Sequence, residues 1–255
     1  MGGQAHLTVP NRAALLVLLG CAAAAWYFTV LGFREMTPGP GTMGLGLTGF
    51  LAAWTLMMAA MMLPALSPLA TVYLRSLRST RSASLRAART VALVTGYLVA
   101  WAIFGAIAFA AAQLAAWLAM GAPEAAPCVG AGVVAAAGIY QVTPLKDFCL
   151  RHCRSPVAFL LHVSSYKGRL RDLRVGLYHG LYCIGCCWGL MVVLIAVGVM
   201  NLAWMAVIAA AVFLEKTWSH GPTLSRTIGA ALLIFAFFIP ANPALLPGLY
   251  ASSTM

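Results

Sequence analysis

His179, Cys183, Cys186 and Cys187 stand at i, i+4, i+7 and i+8 of the segment GLYHGLYCIGCCWGLM, inside a long apolar run. On an α-helix that spacing gathers them into an arc of roughly 100° along about 12 Å of axis. One helix face therefore carries three thiols and an imidazole. Such groups find few partners in hydrocarbon, so they are expected to face protein and one another. Soft sulfur with imidazole is a donor set for Cu(I) or Zn(II). The competing reading is packing, because cysteine is also a small hydrophobe.

Other residues extend the same chemistry. Cys149 and Cys153 lie at i, i+4 with His152 between them, where Gln141, Thr143 and Pro144 interrupt an apolar run. They are a candidate metal clip at the membrane boundary, with S-acylation as the alternative. Met57, Met58, Met61 and Met62 form two i, i+4 pairs that line one side of a helix with thioether sulfur. Thioethers are neutral soft ligands and carry no charge to desolvate, so these four, with Met191, are a candidate Cu(I) path; ordinary core packing is the alternative. Glu215 is an acid in an apolar run beside Lys216, which makes it a functional group or the partner of that lysine or of an arginine. Glu35, Met36 and Met43 sit in a Pro/Gly loop where an arriving ion would first be met.

The elements that must position these groups are membrane helices. Of 255 residues, 62% are hydrophobic and only 8% charged, a balance that a soluble domain could not hide from water. Apolar runs at 13–33, 46–74, 91–120, 128–148, 175–200, 202–218 and 228–239 predict an all-α, polytopic transmembrane bundle of about seven helices. The whole chain, 1–255, reads as one transmembrane domain whose first span is kept rather than cleaved as a signal. Residues 156–174 mix Phe159, Leu160, Leu161 and Leu170 with basic residues, as in an amphipathic helix lying on the cytoplasmic face.

Charge sets the expected orientation. Arg75, Arg78, Arg81, Arg86 and Arg89 fill one loop region and Arg151, Arg154, Lys167, Arg169, Arg171 and Arg174 another, whereas Arg34 lies on the opposite side. The positive-inside rule then places the amino terminus in the cytoplasm and the carboxyl terminus outside, in a multi-pass protein of the bacterial cytoplasmic membrane. The net charge of +11 follows from that topology and from anionic inner-leaflet lipid, without nucleic acid as a partner. The odd count of seven cysteines, three of them within five positions, argues against a disulfide framework.

The stretches AWTLMMAAMMLP, GIYQVTPLKDFCLRHCRSP, HGLYCIGCCWGLM and FLEK together resemble the bacterial family of predicted metal-binding integral membrane proteins, a family without an assigned activity. The resemblance covers about two thirds of the chain. It implies a polytopic fold with a metal site at Cys149, Cys153, Cys183, Cys186, Cys187 and Glu215.

Three functions fit these residues. The first is a membrane protein that binds or passes a soft transition metal, copper before zinc or iron. The second is a membrane oxidoreductase, or a subunit of one, with a fixed metal centre. The third is a non-catalytic subunit of a larger membrane complex in which the cysteines only pack. The lipid bilayer and a metal ion are the expected partners, with other membrane subunits in the second and third readings. Thiols bind metal only after losing a proton, so affinity is expected to fall as pH drops, with His179 or Glu215 as proton acceptor.

Overall fold

The computed structural model describes residues 12–34, 40–77, 80, 82–199 and 201–249; Glu35, Met36, Arg78 and Arg81 lie outside them. Among the described residues there are nine α-helices and no strand: α1 (Arg12–Phe33), α2 (Leu47–Ser76), α3 (Ala83–Gly121), α4 (Ala126–Gln141), α5 (Pro144–Arg154), α6 (Pro156–His162), α7 (Arg171–Ala196), α8 (Leu202–Thr217) and α9 (Gly221–Phe238). Short 3-10 turns cover Val163–Ser165 and Pro243–Leu245.

The expected all-α architecture is present, but the expectation of about seven spanning helices needs correction. Five helices are long and apolar enough to cross a membrane: α1 from Leu15, α2, α3, α7 and α9; α4 and α5 together would make a sixth, bent by 61°. The run at 202–218 becomes α8, whose 16 residues measure about 24 Å, short of the roughly 30 Å of a hydrocarbon core. The last apolar run starts earlier than its hydropathy suggested, because Pro222 occupies the first turn of α9 and helps start it at Gly221.

The bend between α4 and α5 follows from Pro144, which lacks the N–H that would have bonded the Tyr140 carbonyl. The Thr143 hydroxyl donates to that carbonyl instead, at 2.7 Å, and also accepts from the Lys146 amide to start α5. A similar substitution keeps α2 continuous. Pro68 leaves the Pro64 carbonyl without its helical partner, and the Ser67 hydroxyl donates to it at 2.7 Å.

The most extensive helix pairing is α3 with α7, and glycine permits it. A Cβ on Gly176 would run into the Leu93 carbonyl, and one on Gly96 into the Leu173 carbonyl. Gly180 lies against Ala100 and Tyr97 on the same face. Further along α7, Gly189 meets Ala137 and Tyr140 of α4, and the Tyr140 hydroxyl donates to the Gly185 carbonyl. Two glycine pairs, each four positions apart, thus let two neighbours approach the α7 backbone closely. α2 packs against α1, α3, α6 and α8.

One end of the bundle is tied by Asp172, in the first turn of α7. Its carboxylate accepts from Arg89 of α3 at 2.8 and 3.1 Å and from the Tyr73 hydroxyl of α2.

Candidate metal centre

Cys183, Cys186 and Cys187 are all buried, and their sulfur atoms lie within 4.8 Å of one another. Their i, i+3, i+4 spacing along α7 is what places them on one face. Cys186 Sγ is 3.3 Å from Cys187 Sγ and 3.2 Å from the Cys183 carbonyl. A fourth sulfur arrives from α5: Cys153 Sγ stands 3.7 Å from Cys186 Sγ. A tetrahedral thiolate site with metal–sulfur bonds of about 2.3 Å holds its sulfurs about 3.8 Å apart, a spacing close to that of the three α7 thiols, whereas Cys153 approaches the group through Cys186. A donor set of buried thiols suits a soft metal ion such as Cu(I) or Zn(II).

Cys183 has two further partners. The Lys216 ammonium of α8 donates to its sulfur at 2.8 Å, and the Tyr97 hydroxyl of α3 lies 2.9 Å away. A positive charge beside a buried sulfur stabilises the thiolate form that metal binding requires. Cys149 also faces α7, packed against Gly185, where an added Cβ would stand 2.7 Å from its sulfur. Cys21 and Cys128 are exposed, and all seven cysteines are free thiols.

The remaining candidates are placed elsewhere. Glu215 is turned from the sulfur cluster to Lys146 of α5, whose Nζ lies 2.9 and 3.0 Å from the two carboxylate oxygens, with both side chains buried. Gln141 completes that group: its amide nitrogen is 3.5 Å from Glu215, and its oxygen accepts from Lys146. Arg154 donates to the Glu215 carbonyl at 2.7 Å and to the Ser219 carbonyl at 3.1 Å, so the end of α8 is held by α5. His179 is buried between the rings of Tyr97 and Phe159. His152 stacks on Tyr182 at 4.3 Å between centroids.

Met57, Met58, Met61, Met62 and Met191 are all buried in the core. On α2 the four lie between Trp54, whose indole donates to the Trp101 carbonyl at 3.1 Å, and Tyr73, which meets Asp172. On α3 Tyr97, the neighbour of Cys183, lies between Arg89 and Trp101. The two cross-links bracket the four methionines on α2 and Tyr97 on α3, and Tyr97 reaches Cys183 at the near end of the thiol cluster. Met43 is half-buried in the turn before α2.

Lys146, Lys216 and Tyr97 join the surroundings of the site only in the folded chain. Lys146 had a signal: it precedes Cys149, Leu150 and Cys153 by three, four and seven positions, which puts it on the buried face of α5. Lys216 stood out only as a charge beside Glu215 in an apolar run and Tyr97 not at all, because only the packing of α3 and α8 on α7 brings them to Cys183.

The model of the PpoB2 family, described as a copper chaperone, matches residues 51–239. No curated protein and no solved structure matches the chain. The matched region contains every cysteine of the cluster, Cys153, the α2 methionines and the Lys146–Glu215 pair, and it agrees with the metal-handling side of the resemblance read from the sequence. The chain belongs to the PpoB2 copper chaperone family.

Proposed function

We propose that the protein is a membrane-embedded copper carrier that takes Cu(I) as cargo at Cys183, Cys186 and Cys187, with Cys153 as an exchangeable fourth sulfur. The observation that carries this reading is the buried group of three thiols within 4.8 Å, joined by Cys153 from a second helix at 3.7 Å from Cys186. A ligand contributed by the separate helix α5 can leave or join with little disturbance to the three on α7. Movement of an ion needs binding by few ligands at a time, and the buried thioethers of Met57, Met58, Met61 and Met62 on α2 offer neutral alternatives.

Membrane embedding is supported by the outward faces of the long helices. Ile103, Ile107, Leu114 and Trp117 of α3 and Ile234, Phe237 and Phe238 of α9 are all more than half exposed, a surface that suits lipid and not water. The basic segments then mark the cytoplasmic side of the bacterial inner membrane.

The test is copper content after purification without chelator. Replacing Cys183, Cys186 and Cys187 together by Ser keeps size but removes soft-donor character, and the folded variant is expected to lose its copper. Copper retained at the wild-type level in that variant would rule the site out.

A further inference from the structure

His179 is not explained by the three-sulfur site. It is only 3% exposed, and its Nδ1 has no hydrogen-bond partner, whereas buried ring nitrogens are nearly always bonded. The rings that enclose it offer it nothing: Phe159 meets it edge-on with centroids 4.9 Å apart, and Tyr97 lies tilted at 6.0 Å. Tyr97 spends its hydroxyl on Cys183 Sγ, at 2.9 Å. One tyrosine therefore covers both the imidazole and the Cys183 thiol. His179 and Cys183 are four residues apart on α7, so they sit one above the other about 6 Å along the axis.

We propose that His179 and Cys183 form a second position for Cu(I), one turn along α7 from the three-sulfur position and sharing Cys183 with it. The proposal rests on the reading of the thiol cluster as a copper site. Imidazole nitrogen with one sulfur is a suitable two-donor set for Cu(I), and neutral imidazole adds no charge to a buried site. The shift between positions is a ligand exchange without redox change. The bonds to Cys186 and Cys187 break, and those two sulfurs keep their electron pairs and take up from solvent the protons lost on loading; the bond to His179 Nδ1 forms and the bond to Cys183 persists. Keeping one ligand throughout spares the ion a bare crossing of a low-dielectric interior. The second position lies against Phe159 of α6, next to the basic segment that precedes α7, so it is the station from which the ion leaves or enters on that side.

The experiment uses the full chain in detergent, loaded anaerobically with Cu(I). X-ray absorption reads the nitrogen and sulfur neighbours of copper, and a water-soluble Cu(I) chelator reads the release rate. The wild type is expected to show a nitrogen contribution beside sulfur. His179→Leu is expected to lose the nitrogen signal, keep its copper content and release copper severalfold more slowly, because a station on the way out is gone. His179→Met, which returns a soft donor, is expected to restore release. A packing defect would instead loosen the site and speed release in His179→Leu, and that result overturns the proposal. A wild-type spectrum with sulfur alone also overturns it while leaving the thiol site standing, whereas a wild type that holds no Cu(I) overturns both.

Discussion

Glu215 turns to Lys146 and Lys216 turns to Cys183, although the two stand side by side at the end of α8. Consecutive helical residues point about 100° apart, so one turn of helix serves two different neighbours. Lys146 is fully buried, and its ammonium has Glu215 as its ionic partner. Removing one member of a buried pair strands the other charge, at a cost of about 3–5 kcal/mol, whereas replacing both by apolar groups is often close to neutral. Glu215→Ala is therefore expected to lower the unfolding midpoint sharply, and the double change Lys146→Met with Glu215→Leu to recover most of the loss. Thermal unfolding in detergent measures both. Copper content per folded chain is expected to stay at the wild-type level in the double variant; a loss there would make Glu215 a ligand and not a scaffold partner.

At the scale of elements, α2 and α7 present the two soft-donor surfaces, and α3 sets their relation. The glycine contacts of Gly96 and Gly176 lock α3 to α7, while Trp54 and Phe50 of α2 pack on Trp101, Phe104 and Phe109 of α3. Phe50 and Phe109 meet edge to face, with centroids 5.4 Å apart. Changing Met57, Met58, Met61 and Met62 to Leu conserves volume, and each such swap usually costs less than about 1.5 kcal/mol. The quadruple variant is expected to fold, keep the thiol-bound copper and load Cu(I) more slowly. Loading followed by stopped-flow exchange from a chelator checks this. A wild-type rate and affinity would reduce the methionines to packing and deprive α2 of any part in transfer.

For the whole molecule, the salt bridge of Arg89 with Asp172 and the Tyr73 hydroxyl at the same carboxylate bring the ends of α2, α3 and α7 together. The loop after α2 and the segment before α7 therefore emerge at one end of the bundle, and these are the two regions richest in arginine and lysine. Cysteines introduced at Thr80 and Lys167, in a background lacking the two exposed native cysteines, are expected to react with an impermeant thiol reagent only from the cytoplasmic side. Labelling of either from outside intact cells would overturn the orientation.

Hydropathy by itself determined that the chain is helical and apolar, because a run of twenty apolar residues has few other solutions. Helical period alone put Cys183, Cys186 and Cys187 on one face, since residues three and four apart are neighbours on any helix. The interruption at Thr143–Pro144 likewise marked the break before Cys149 and Cys153. Helix count was less legible: composition merged α4 with part of α5 across a proline, and it counted α8 as a span although its 16 residues are too short to cross a hydrocarbon core. The partners of the site were decided only by tertiary structure. That Cys153 reaches Cys186, that Lys216 and Tyr97 reach Cys183, and that Glu215 is taken by Lys146 all depend on how α3, α5 and α8 dock on α7. Periodicity gives the face a side chain occupies, but the neighbour across that face is set by close packing between helices, here at glycines whose missing side chains carry no direction in the sequence.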